Sequence, residues 1–235
     1  MNVSYENLQL KIRARVALRG NMGIAVLSGM LYGMIYLVVV SVLGAGGFAV
    51  SAIWLRLSSI LVSLLTGVFL SGFAYQNLRI VYGNKAQVSD LFHGFKEEPN
   101  KAIMIQTVFV AYSLVCSIPL VLYELMAGDT PDLVLSFALT MLSPALAFLA
   151  TLPFSQAFYL LQDFPGRSVK ELLSASIRLM EGQKMRLFLL TLSFLPLYML
   201  SGMLMFIPLF WLMPYYRATR AVFYQELVGR EHGHS

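Results

Sequence analysis

The sequence predicts an all-α polytopic membrane protein: six transmembrane helices as three hairpins, each preceded by a cytoplasmic interfacial helix. Three observations carry this reading. Of 235 residues, 58% are hydrophobic and only 12% are charged, whereas soluble globular chains carry roughly 25% charged residues. Half the usual charge cannot solvate the surface of a soluble monomer of 26.2 kDa, and the mean hydropathy is +0.71. A cytosolic enzyme, a secreted disulfide scaffold and a disordered segment are thereby excluded together. The apolar residues also fall into runs long enough to cross a bilayer, and the cations are sorted between the connections.

Residues 4–19 form the first interfacial element, with Leu8, Ile12 and Val16 on one helical ridge and Lys11, Arg15 and Arg19 on another. The apolar run that follows, Met22 to Leu43, is 22 residues long. A signal-peptide core has about 7–15 apolar residues and a spanning helix about 20, so the run is expected to be retained as a helix. Leu57–Leu78, Ala102–Tyr123 and Leu133–Leu161 are further spans, each able to cross about 30 Å of hydrocarbon. The first pair is joined by Gly44-Ala45-Gly46-Gly47 and the second by the acidic loop Ala127-Gly128-Asp129-Thr130-Pro131-Asp132. Ser89 to Phe95 reads as a short interfacial helix before the third span. In 168–181, Ser168 and Glu171 have capping-box spacing, while Val169, Leu172, Leu173, Ile177 and Met180 share a face and Gly182 ends the helix.

The last run, Leu187 to Met213, holds 27 uncharged residues, long for one helix and short for two. Ser201-Gly202 in its middle, and apolar residues continuing past Arg217 and Arg220, point to a hairpin over roughly 187–227 modified by Pro208 and Pro214. Charge placement favours this hairpin. With six spans and the N-terminus inside, 16 of the 17 lysines and arginines fall on one face and only Arg56 lies outside. With five spans, Arg217, Arg220 and Arg230 change sides and the split falls to 13 against 4. The excess of cations on the cytoplasmic side therefore predicts six spans, with both termini in the cytoplasm. The net charge of +5 is a topology signal, and nucleic acid is not an expected partner.

The chain reads as a single membrane domain, 1–235, with weak repeat units at 4–83, 88–163 and 168–228. The sequences leading into the hairpins are loosely alike (Arg19-Gly20-Asn21-Met22, Pro99-Asn100-Lys101-Ala102, Glu181-Gly182-Gln183-Lys184), as are those leaving them (Gly72-Phe73-Ala74-Tyr75-Gln76, Pro153-Phe154-Ser155-Gln156-Ala157, Pro214-Tyr215-Tyr216-Arg217-Ala218). Such exits can meet at a shared centre in repeat-built membrane proteins.

Several of these stretches resemble a known family. Ala17-Leu18-Arg19-Gly20-Asn21-Met22-Gly23 is similar to the opening motif of a bacterial integral-membrane family catalogued as domain of unknown function 975. So are Asp163-Phe164-Pro165 with Glu171, Ser176, Leu179-Met180-Glu181-Gly182 and Leu187-Phe188. Leu192-Ser193-Phe194, Pro214-Tyr215 and Phe223-Tyr224-Gln225-Glu226-Leu227 resemble its C-terminal part. The third span lacks a tryptophan, and Leu195-Pro196-Leu197 stands where the family pattern has a glycine-tryptophan step. The resemblance implies a six-span protein, mostly from Gram-positive bacteria, with no established activity. It supplies no catalytic residues.

The candidate sites are few. No span centre carries Asp, Glu, Lys or His, which argues against ion-coupled transport. Arg56 and Glu124 lie near the ends of their spans as interfacial anchors. Gln76, Gln156 and Arg217 occupy matching positions in the three exits and, with Tyr75 and Tyr215, are candidates to contact a lipid headgroup or small solute. The alternative role for them is helix–helix hydrogen bonding and an aromatic belt. Lys11, Arg15, Arg19, Lys170 and Arg178 are candidates for anionic-lipid contact, each worth about 1 kcal/mol when well placed. The single Cys116 permits no intrachain disulfide. No catalytic triad, HExxH, Walker loop or dinucleotide motif is present, and the methionines and His93, His232 and His234 lack metal-site spacing. No cofactor and no catalysis are expected. The expected role is a scaffold, regulator or envelope-maintenance factor acting through lipid or membrane-protein contacts, and the alternative is a transporter or channel for a neutral or amphiphilic solute.

Overall fold

The computed structural model describes residues 3–45, 52–127 and 132–233. The described part is helical, with no strand. In order it contains α1 (Val3–Ala17), α2 (Met22–Ala45), α3 (Ala52–Val81), a 3-10 turn (Val88–Phe92), α4 (His93–Lys96) and α5 (Pro99–Ala127). Then follow α6 (Leu133–Thr151), α7 (Ala157–Asp163), α8 (Val169–Leu179), α9 (Lys184–Leu192), α10 (Leu195–Met203) and α11 (Leu209–Gly233). Arg56, His232 and His234 have side chains outside the described residues, as do Gly46 and the loop residues 128–131.

Five segments are long and apolar enough to cross a membrane: Met22–Leu43, Leu57–Val81, Pro99–Ala127, Leu133–Asp163 and Lys184–Met203. The fourth is interrupted by a 3-10 turn at Leu152–Phe154, where Pro153 removes a backbone donor. The last apolar run is indeed folded back on itself, but it reverses at Leu204–Pro208 and not at Ser201-Gly202. Ser201 stays inside α10, donating its hydroxyl to the Leu197 carbonyl at 2.8 Å. The reversal uses left-handed backbone at Met205 (φ 52°) and Phe206 (φ 63°). The returning helix α11 does not itself reach the apolarity of a spanning segment, because Arg217, Arg220, Glu226 and Arg230 fall within it.

Burial is concentrated at one end of the bundle. Leu10, Ala14 and Leu18 of α1 pack with Ala218, Val222, Phe223 and Leu227 of α11, and with Leu187, Leu190 and Phe194 of the last hairpin. A second cluster joins Ala74 and Leu78 of α3, Ala102 and Ile105 of α5, and Ala157 to Leu161 of α7. Leu172 and Ala175 of α8 and Tyr224 of α11 complete it. Towards the other end burial is sparse, and α6 buries no side chain. Spanning helices can leave apolar surface unpacked because lipid tails are as apolar as leucine.

The elements expected to be interfacial are docked parts of this core. In α1 the ridge Leu8, Ile12 and Val16 is exposed, while the face that packs is Leu10–Ala14–Leu18. The capping box at α8 forms as its spacing predicts: the Ser168 N–H donates to Glu171 Oε2 at 3.0 Å and the Glu171 N–H to Ser168 Oγ at 3.3 Å. The segment 88–96 lies directly on α3, where Gly72 meets the Leu91 carbonyl and Gly94 meets the Val68 carbonyl so closely that neither site has room for a Cβ. The backbone is left-handed shortly before α2, α5 and α9, at Gly20 (φ 85°), Glu98 (φ 51°) and Gly182 (φ 70°).

Candidate functional site

The three exits meet, but through different groups from the matched glutamines. Gln76 is 1% exposed. Its Nε2 donates to Ser28 Oγ (2.7 Å) and to the Gln87 carbonyl (2.9 Å), fastening α2 and the 88–92 turn to α3. Tyr75 stacks on His93 with centroids 3.6 Å apart, beside Arg79 at 5.8 Å. Gln156 is 0% exposed; its Nε2 donates to Ser155 Oγ at 3.0 Å and approaches Met180 Sδ at 3.5 Å. Its Oε1 is buried with no hydrogen-bond partner.

The third exit supplies the junction. The Arg217 guanidinium lies 3.7 Å from the ring centroid of Phe73, in the first exit. One turn on, Arg220 Nη2 donates to the Ser155 carbonyl, in the second exit, at 3.0 Å. Tyr159 donates its hydroxyl to the Arg217 carbonyl at 3.4 Å and stacks on Tyr224. The structure thus brings Arg217 to Phe73 and Tyr159, Arg220 to Ser155 beside Gln156, and keeps Gln76 on separate partners.

The basic residues divide by environment. Lys11 is half-buried: its Nζ donates to the Ser193 carbonyl at 3.4 Å and sits 4.6 Å from the Phe194 centroid. Burial lowers its pKa from the ordinary lysine value. Its ammonium is engaged by the protein. Arg15 and Arg19 are exposed and border a cavity of about 490 Å³. The remaining walls of that cavity are Leu18, Met22, Leu197, Leu200, Ser201, Pro208, Trp211, Leu212 and Tyr215. Tyr215 donates its hydroxyl to the Lys11 carbonyl at 3.3 Å, and the Arg15 guanidinium lies 5.9 Å from its ring centroid. Lys170 and Arg178 are exposed on α8.

Two polar clusters escape a reading by local spacing. Arg186 is 5% exposed. Its Nε pairs with Glu6 at 3.0 Å and its Nη2 with Glu226 at 2.9 Å, and Arg230 pairs with Glu226 at 2.7 Å. This network locks α1, α9 and α11 together. Only the Glu226/Arg230 spacing of four residues is visible as a helical pair; the others are separated by most of the chain. In the second cluster, Asp163 Oδ2 accepts from the hydroxyls of Tyr82 (3.2 Å) and Tyr224 (2.7 Å), closing the ends of α3, α7 and α11. Desolvation, followed by the Asp163 charge and hydrogen bond, pushes the Tyr82 hydroxyl up to about 12. Among the described residues, no three His, Cys, Asp or Glu side chains gather as metal ligands.

A family model described as a protein of unknown function, DUF975, matches residues 1–231. The chain belongs to the DUF975 family. The match extends the resemblance of the opening, 163–188 and C-terminal motifs across the intervening helices. The polar features just described are therefore set within a DUF975 domain occupying nearly the whole chain. No curated protein and no solved structure matches it.

Proposed function

We propose that this DUF975 protein is a six-span protein of the bacterial inner membrane, with both termini cytoplasmic, that acts without catalysis by holding an anionic phospholipid. The observation that carries this reading is the cavity between α1 and the last hairpin. Arg15 and Arg19 stand at its α1 wall, while Leu197, Leu200, Trp211 and Leu212 form an apolar wall opposite. That is the pairing a phospholipid needs: cations for the phosphate and an apolar trough for an acyl chain. The exposed ridge of Leu8, Ile12 and Val16 supports an interfacial position for α1 beside it.

The three left-handed approach residues, Gly20, Glu98 and Gly182, support a threefold repeat of interfacial segment and hairpin. The ion pair between Arg186 and Glu226 puts the two legs of the last hairpin at one level, which supports a sixth crossing by α11. Passage of a neutral solute from the cytoplasm past Gln76 and Gln156 is less well supported, because both are sealed in protein contacts.

Native mass spectrometry of the full chain released from nanodiscs tests the reading. In mixed phosphatidylglycerol and phosphatidylcholine, phosphatidylglycerol is expected to be retained selectively, and Arg15→Gln/Arg19→Gln to lower the number of phosphatidylglycerol molecules retained. Equal retention of both lipids by the unaltered protein overturns the proposal.

A further inference from the structure

Arg217 and Arg220 are three residues apart on α11 and so share one face of the helix. Both are half-buried. Neither forms an ion pair with a carboxylate among the described residues. The groups near enough to act on the Arg217 charge are the hydroxyls of Tyr32, Tyr159 and Tyr198; those acting on Arg220 are Tyr216, Tyr159 and Tyr198. Arg220 Nε is buried with no hydrogen-bond partner. Two cations on one helix face, set among neutral rings and without a carboxylate partner among the described residues, make an unfavourable arrangement unless an anion completes it. The other internal cation clusters differ: Arg186 has Glu6 and Glu226, and Arg79 has Asp90.

A second, independent feature adjoins this pair. A cavity of about 640 Å³ lies between α2, α3 and α5, lined by Tyr32, Tyr36, Ser58, Ser59, Ser63, Thr66 and Gln106 among others. Its lining is rich in hydroxyl groups and contains no ionisable acid or base except tyrosine. Gln106 Oε1 is buried there without a partner. Tyr32 belongs to both places: its hydroxyl donates to Thr66 Oγ1 at 3.4 Å, and its ring meets Phe73 edge-on at 5.5 Å, where Arg217 is seated. A hydroxyl-lined cavity thus stands next to the Arg217 guanidinium, with one tyrosine between them, and Arg220 follows one turn further along α11.

We infer that Arg217 and Arg220 form a binding site for a phosphate-type anion, adjoined by the cavity between α2, α3 and α5. Guanidinium forks match phosphate oxygens with paired, charge-assisted hydrogen bonds, and the tyrosine hydroxyls supply further donors. The anion is either free inorganic phosphate or the phosphate of a lipid headgroup, and this site is separate from the Arg15/Arg19 groove.

The test uses the full chain in phosphatidylcholine nanodiscs. Inorganic phosphate is titrated at constant ionic strength while thermal unfolding is followed. In a parallel arm, phosphatidylglycerol adducts are counted by native mass spectrometry. A saturable rise in unfolding temperature identifies free phosphate; a lipid adduct lost in Arg217→Gln/Arg220→Gln but kept in Arg15→Gln/Arg19→Gln identifies the headgroup. In either arm Arg217→Gln is expected to weaken binding about tenfold, and Arg217→Lys less, because it keeps the charge but not the fork. The Lys variant also serves where the Gln variant does not fold. If the unaltered protein responds in neither arm, or if its response survives both arginine substitutions, the site is overturned.

Discussion

At the scale of single residues, close approach decides the most. Gly72 and Gly94 let the 88–96 segment touch the backbone of α3, because a Cβ at either would enter a carbonyl of the other segment. Gly72→Ala is expected to lower stability by about 1–3 kcal/mol, the cost of overpacking a core that cannot give way. Thermal unfolding in detergent measures it, and an unchanged midpoint would show that the contact is looser than the geometry implies. The Tyr82–Asp163 bond makes a second prediction at this scale. A tyrosine whose pKa is raised from 10.0 to about 12 on folding holds its proton more tightly in the folded state. Its stabilising contribution is complete below pH 10 and is lost as the pH rises from there towards 12. Unfolding midpoints between pH 9 and 12 should fall less steeply in Tyr82→Phe than in the unaltered chain.

At the scale of elements, α11 is the strut on which the others close. It packs on α1, reaches the first and second hairpins through Arg217 and Arg220, and shares the Arg186 network. Arg186→Ala leaves Glu6 and Glu226 facing one another without that guanidinium, and should cost about 3–5 kcal/mol. The triple variant Glu6→Gln/Arg186→Met/Glu226→Gln, which removes the charges together, should recover part of that loss in the same unfolding assay. If it is no more stable than Arg186→Ala, the loss comes from packing against Phe223. The elements themselves were legible from the chain: the apolar runs, the Ser168–Glu171 cap and the Gly182 stop depend on neighbours a few residues apart. The contacts between them were not. Glu6 and Arg186 are joined only by the fold, so no spacing announces them. Lys11 has the pattern of a lipid-facing cation, yet its ammonium is taken up by Ser193 and Phe194. The matched exits do meet, through Arg217, one of the three matched positions, and through its neighbour Arg220. Gln76 is held by Ser28 and the Gln87 carbonyl, and Gln156 lies beside Ser155 and Met180 with its Oε1 unpartnered, while Arg217 and Arg220 reach to the other exits.

At the scale of the whole molecule, the remaining question is how the last hairpin sits in the bilayer. Arg186 and Glu226 fix its two legs at one level. From there α9 and α10 climb to Met203, about 26 Å at helical rise, against about 30 Å of hydrocarbon. The reversal at the top is apolar and open: Met203 is 84% exposed and Met205 83%. A turn reaching far into water would be polar, and one halfway across would leave unpaired backbone in hydrocarbon. A tip just at the far boundary would satisfy both limits, and the proposed sixth crossing would then return α11 to the side on which α9 begins. Labelling of single cysteines in a Cys116→Ser background with a membrane-impermeant reagent decides this. Gly46→Cys and Thr130→Cys should react from the outside of intact cells, and Gly233→Cys only after the membrane is opened. Reaction of Gly233→Cys in intact cells would leave five crossings and move Arg217 and Arg220 to the outer half, away from the cytoplasmic cations. The positive-inside imbalance weighs against that arrangement, because three more cations would then have to be translocated.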